Sequence, residues 1–190
     1  MIQAIRQLEA QVTKCQVCGA SAHREILDYH IEDLLGVRVG IVGCVEMVSC
    51  KQCGEEVITI PDTNGLIAAA AVARTMIPTR LNGAEMRFLR KAIALPAKDL
   101  AEMLQMRPET VSRWENGKEP IGVAQEKILR VLVGKALKGE QDKAPAIHFD
   151  DRAILKSALK PGLQAVDGKP LMVFHRTEVK DEEQVWDKAA

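Results

Sequence analysis

The sequence predicts an α+β chain in two domains: a small β unit held together by cysteines, then an all-α unit of short helices, with an extension behind it. Three observations carry this. Residues 15–20 read CQVCGA, and the pattern returns at residues 50–55 as CKQCGE. Between the two copies, β-branched residues alternate with others. From residue 83 the apolar residues fall at helical spacing, in short runs interrupted by Pro96, Pro108 and Gly117.

The cysteine pattern is Cys15-x2-Cys18, thirty-one intervening residues, then Cys50-x2-Cys53. A two-residue gap lets both thiolates of a pair turn toward one point. Gly19 and Gly54 follow the second cysteine of each pair and suit a tight knuckle turn, because glycine tolerates positive φ. Two such knuckles form a closed tetrahedral shell of four thiolates, the preferred structural site for Zn2+. One zinc ion per chain, held by Cys15, Cys18, Cys50 and Cys53, is the expectation. With every position filled by protein, the ion supplies folding energy rather than catalysis. An iron site uses the same four sulfurs and remains the alternative. A redox dithiol fits poorly, since that motif opens a helix beside a strand. Cys44, in the apolar run VGIVGCVEMVSC, reads as a small buried hydrophobe. His23 reads as a solvent-facing loop residue rather than a replacement ligand.

Val37, Val39 and Ile41 alternate with Arg38 and Gly40, a strand signature, and EEVITIPD (55–62) reads the same way up to Pro61. Residues 13–62 therefore form a zinc-stapled β unit; so few residues rarely bury enough apolar surface to fold unaided. Upstream, Ile2, Ile5, Leu8 and Val12 lie at helical spacing. Downstream, alanine-rich Leu66–Met76 predicts a short helix ended by Ile77-Pro78. It is either a packed helix or a connector between the halves. Residues 77–82 read as an extended hinge.

Residues 83–137 predict four or five short helices. Met86, Leu89 and Ile93 line the first, which Pro96 breaks. Leu100, Ala101 and Leu104 line the second. The connection QMR leads to Pro108, a good first helical residue because its missing N–H had no helical partner. The third helix turns Val111 and Trp114 inward and stops at Gly117. The fourth carries Ile121, Val123, Ile128, Leu129, Leu132 and Val133. Two short helices with a tight connection and a small residue at their crossing make a helix-turn-helix, whose second helix enters the major groove.

The charge distribution agrees. The chain has 190 residues and zero formal net charge, but residues 1–73 carry net −4, residues 74–138 net +6 and residues 139–190 net −2. A basic middle between acidic ends suits a polyanion. The most apolar run, 65–73, falls far short of the ~20 residues a membrane span needs. No secretory signal is visible, so a cytoplasmic protein with reduced thiols is expected. The sequence shows no open metal position, nucleophile–base pair or phosphate loop, which argues against an enzyme.

Through LAEMLQMRPETVSRWENG, residues 83–137 resemble the Xre/Cro family of DNA-binding domains, which implies a lambda-repressor-like fold. With the cysteine knuckles ahead of it, the chain over residues 14–137 resembles the MqsA antitoxins, or YgiT-type zinc-finger regulators. That resemblance implies a zinc-ribbon-like N-terminal domain that binds a ribonuclease toxin. It also implies a homodimeric C-terminal domain that binds palindromic double-stranded DNA in its own promoter. The family's base-reading arginine falls on Arg113. Its base-reading asparagine falls on Glu109, and a carboxylate there can accept only from a cytosine amine. The glycine usual in the turn is Gln105, and the glutamine usual at the start of the preceding helix is Ala97. Arg113 is expected on a guanine edge, Arg107 and Thr110 on phosphate or base edges, and Lys98, Asn116 and Lys118 on phosphates. Glu115 reads as an internal hydrogen-bond partner and Trp114 as core. The apolar face of 121–137 is the expected dimer interface.

The resulting partition is residues 1–62 for the zinc domain, 63–82 for linker helix and hinge, 83–138 for the DNA-binding domain and 139–190 for the extension. In the last segment, 151–159 reads as a short helix, 160–162 and 167–170 as turns, and LMVFHR (171–176) as a strand. His148 and His175 are too far apart to suggest a site. The function expected is a sequence-specific regulator, the antitoxin of a toxin–antitoxin pair that represses its own operon. The alternative is a stand-alone regulator with no toxin.

Overall fold

The computed structural model describes residues 11–139, 171–179 and 183–188. The strands are β1 (Gln11–Lys14), β2 (Ser21–Leu34), β3 (Val37–Ser49) and β4 (Glu56–Thr59). The helices are α1 (Thr63–Met76), α2 (Gly83–Ala92), α3 (Ala97–Met103), α4 (Pro108–Glu115) and α5 (Val123–Gly139), and strands β5 (Leu171–Val179) and β6 (Glu183–Lys188) follow. The chain thus has an N-terminal antiparallel sheet followed by a helical region, as the cysteine and helix patterns predict.

The long β2–β3 hairpin organises the sheet. β-Branched side chains on both arms, with Tyr29 on β2, favour the pleated surface, and Val37, Val39, Ile41 and Val45 are buried. At its tip Leu35 and Gly36 take positive φ of 54° and 115°. Asp33 Oδ1 accepts the Gly36 N–H at 2.6 Å. A β-carbon at Gly36 would lie 2.6 Å from the Ala84 carbonyl oxygen, so the hairpin tip sits directly on the first turn of α2.

Two strands of the C-terminal extension complete this sheet. β5 runs parallel to β3, with Arg38 opposite Leu171 and Val42 opposite His175. Met172 and Phe174 are buried in the same core as Val39 and Ile41. β6 then pairs antiparallel with β5. The strand expected at 171–176 therefore belongs to the body of the protein. The helix and turns expected at 151–170, and His148, lie outside the described residues, as do Ile2, Ile5 and Leu8. Val12 does not continue a helix: it lies on β1 opposite His23 and is exposed. His23 is exposed, as expected, but on strand β2 rather than in a loop.

α1 is the packed alternative of the two that its alanines allow. Leu66 and Ala69–Ala73 are buried, and the helix packs against α5, β5 and β6. Its N-terminus is capped by Asp62, whose side chain accepts the Gly65 N–H at 2.9 Å.

Residues 77–82 are extended, but they are gripped. Arg74 from α1 and Arg130 from α5 are both fully buried. Arg74 donates to the carbonyls of Ile77 and Arg80 at 3.3 and 3.0 Å. Arg130 donates to those of Thr75, Ile77 and Thr79 at 2.8, 2.8 and 2.5 Å. The counter-charges are buried too. Glu85 pairs with Arg74 at 2.8 Å, and Glu126 pairs with Arg130 at 2.8 Å. Glu126 also accepts from Arg80 at 2.7 Å and from the Leu81 N–H at 3.2 Å. Guanidinium is the group suited to this role: its planar fork satisfies several carbonyls while remaining charged.

The helical region packs on one continuous core. Met86 and Leu89 of α2, Leu100 and Ala101 of α3, Val111 and Trp114 of α4, and Leu129 and Val133 of α5 are all buried together. Much of the apolar face of 121–137 is thereby used within the chain, since Ile121, Leu129, Val133 and Leu137 all turn inward. Val123 and Ile128 remain exposed, and Leu132 is half-buried.

Candidate metal centre and nucleic-acid interface

The two knuckles have the same backbone geometry. In the first, the Cys15 N–H reaches the Ala20 carbonyl at 2.8 Å and the Gly19 N–H the Cys15 carbonyl at 2.9 Å. In the second, Cys50 bonds to Glu55 and Gly54 to Cys50, each at 2.9 Å. Gly19 and Gly54 take φ of 74° and 75°, the positive values that the CxxCG pattern predicts. The hairpin brings the knuckles together, because β2 starts after the first and β3 ends before the second.

All four sulfurs lie within 4.8 Å of one another. Cys15 Sγ is 3.6 Å from Cys53 Sγ, and Cys18 Sγ is 3.6 Å from Cys50 Sγ. A tetrahedral ion bound through sulfur at about 2.3 Å sets its ligands about 3.8 Å apart, so the donor set fits. The thiols share their protons unequally. Backbone N–H groups of the knuckle hold Cys50 down to about 6, whereas the neighbouring sulfurs and burial push Cys53 up to about 12 despite an opposing backbone hydrogen bond. Cys15 and Cys50 are buried, and Cys18 and Cys53 face solvent. The four cysteines can hold a metal ion. Cys44 stands apart, half-buried against the main core, and burial raises its thiol.

The second candidate site is the pair α3–α4. The turn between them closes through Met106 N–H to the Ala101 carbonyl at 2.8 Å and Gln105 N–H to Glu102 at 3.0 Å. Gln105 takes φ of 53°, the conformation for which the resembled family uses glycine. Pro108 opens α4 at its first turn. Two arginines of α2 then fix the far end of α4. Arg90 grips both oxygens of Glu115 at 2.6 and 3.0 Å, and Arg87 reaches Asn116 Oδ1 at 2.6 Å. Glu115 is therefore the internal partner that the sequence suggests.

The structure places the remaining candidates as follows. Arg107, Glu109 and Arg113 are exposed on or beside α4, and Thr110 is half-buried. Lys118 is exposed in the loop after α4, and Lys98 in the first turn of α3. Asn116 is exposed, but both ends of its amide are engaged: Nδ2 donates to the Ser112 carbonyl at 2.8 Å, and Oδ1 accepts from Arg87. Arg113 is ion-paired with Glu119 at 3.0 Å. Sequence reasoning missed Glu119, because a single carboxylate in a loop carries no periodicity. It also missed the buried Arg74 and Arg130, whose signal is only that basic residues interrupt apolar helix faces.

Among the described residues, no helix is long and apolar enough to cross a membrane. Neither the curated proteins nor the solved structures contain a match to the chain. Residues 86–124 match the family model described as helix-turn-helix, which covers most of α2, all of α3 and α4, and the first two residues of α5. This match points to a DNA-binding transcriptional regulator that takes double-stranded DNA, and the cysteine cluster in the turns beside the sheet is separately suited to a metal ion.

Proposed function

We propose that this protein is a sequence-specific repressor that reads duplex DNA with α4 and is stabilised by one structural Zn2+ on Cys15, Cys18, Cys50 and Cys53. The observation that carries this reading is the α3–turn–α4 unit, within the matched segment, with Arg113 exposed on its second helix. Arg113 bonds the O6 and N7 of a guanine, which match its planar fork. Arg107 and Thr110 contact the groove at the helix entry, and Glu109 accepts from a cytosine amine. Lys98, Lys118 and the Asn116 segment face phosphates. Four thiolates favour zinc over harder cations.

One copy of this unit makes few base contacts, so a two-fold homodimer on a palindrome is the natural assembly. Of the apolar residues that α5 leaves at least partly exposed, Ile128 and Leu132 lie one turn apart and, with the exposed Val123, are available for that contact. The partition into a zinc domain (1–62), a linker (63–82), a DNA-binding domain (83–138) and an extension (139–190) is part of the same proposal. One amendment is that β5 of the extension rejoins the sheet.

We also propose that the chain is the antitoxin of a toxin–antitoxin pair. This rests on the cysteine knuckles preceding a helix-turn-helix and on the acidic balance of residues 1–73. Capture of the tagged protein from its native cell in high salt tests this. A small basic protein recovered near one-to-one supports the antitoxin. Recovery of the bait alone, still binding its own promoter, supports the stand-alone regulator. For the DNA reading, selection from a random duplex pool should enrich a palindrome whose half-sites lie about 10 bp apart or a multiple of that. Failure to enrich any sequence would contradict it.

A further inference from the structure

Arg113 lies in the last turn of α4, and Glu119 lies in the loop behind it. Their side chains meet at 3.0 Å while remaining 60% and 47% exposed. The loop that carries Glu119 is tethered on both sides. The Lys118 N–H bonds to the Arg113 carbonyl at 2.9 Å, and the Gly117 N–H to that of Trp114 at 3.0 Å. After Pro120, Ile121 is buried, and its carbonyl accepts from Arg80. The carboxylate is thus presented to Arg113 by a loop fixed by backbone hydrogen bonds and a buried anchor.

A carboxylate and the guanine edge offer an arginine the same thing, two acceptors in one plane. A phosphate also offers acceptors, but it is repelled by a carboxylate beside the arginine. We propose that Glu119 determines specificity by keeping Arg113 off phosphates on non-cognate DNA, so that the arginine is released only to guanine. This rests on the reading of α4 as the groove-entering helix. In a non-cognate complex Arg113 stays paired and neutralised and displaces no counterion. In the cognate complex it leaves Glu119 for the base. Glu119 is a positioning residue, since it acts through Arg113.

The test compares the wild-type protein with Glu119→Gln by salt titration of binding to two probes. One is a random-sequence duplex pool, and the other is the duplex enriched from that pool by the wild-type protein. On the random pool, Glu119→Gln should steepen the slope of log Kobs against log salt by about 0.9, the contribution of one phosphate. It should also tighten binding at low salt by about two- to five-fold, the range of an exposed ion pair. On the enriched duplex the salt slope should stay unchanged. In an Arg113→Ala background the added slope should vanish. An unchanged slope on random DNA, or a gain that persists without Arg113, would overturn the role of Glu119 while leaving α4 as the DNA-binding helix. Wild-type protein that binds neither probe would overturn the DNA reading itself.

Discussion

The carboxylate of Glu85 receives the Arg74 guanidinium through two hydrogen bonds, at 2.8 and 2.9 Å, with both side chains buried. The same carboxylate accepts the Asn82 N–H at 2.8 Å and so closes the capping box of α2. One side chain thereby joins α1, the connector and the first helix of the DNA-binding unit. Removing it leaves Arg74 charged and buried without its partner, which costs about 3–5 kcal/mol. Glu85→Ala should therefore lower the unfolding free energy in urea by that amount. A loss below about 1 kcal/mol, typical of a surface pair, would mean that the pair is solvated.

The grip on residues 77–82 has a second consequence. Proteolysis needs an exposed, extendable chain, and here the carbonyls of Ile77, Thr79 and Arg80 are held by buried arginines. Limited proteolysis should spare this segment in the wild-type protein and cut it in Arg130→Ala, as read by mass spectrometry of the fragments. Early cleavage of the wild-type connector would restore the hinge that the sequence suggests.

Metal removal should dismantle the knuckles, because no other buried cluster links the two turns beyond Cys15, Ala22 and Cys50 among the described residues. One Zn2+ per chain is expected by elemental analysis, and Cys18→Ser should lower that stoichiometry. Binding should release protons, since Cys53, pushed up to about 12, is protonated at neutral pH in the free site. Affinity should then fall as the pH drops, most steeply below about 6, where Cys50 also protonates. Zinc affinity measured by competition with a chelator from pH 8 to pH 5 checks the sign.

The cysteine spacing and the short helices were legible in the sequence because each is local: two residues between thiols, three or four between apolar positions. The positive φ at Gln105 was not legible, since a glutamine carries no local signal for that conformation. The pairing of β5 with β3 was not, since parallel strands more than a hundred residues apart leave no periodic trace. Arg74 and Arg130 were hidden for a different reason. Basic side chains are usually solvated, and only the folded chain shows the carbonyls that surround them. The inward face of α5 was equally ambiguous, since Leu129 and Val133 read alike whether they meet a second copy or α1.

The C-terminal strand gives a separate check. Phe174 is buried beside Ile41 in the core, so Phe174→Ala should cost about 3–5 kcal/mol. A change within about 0.5 kcal/mol, as on a surface, would show that β5 is not held in the sheet.

In the proposed complex α4 reads DNA through Arg113. The direct measurement is equilibrium binding of the wild-type protein, Arg113→Ala and Lys118→Ala to the enriched duplex and to versions with one base pair changed, across a salt series. Arg113→Ala should weaken the enriched duplex by about 1–3 kcal/mol and flatten discrimination at one G·C pair. Lys118→Ala should weaken all duplexes alike and reduce the salt slope by about 1. Discrimination that survives intact in Arg113→Ala would mean that α4 does not read DNA through Arg113.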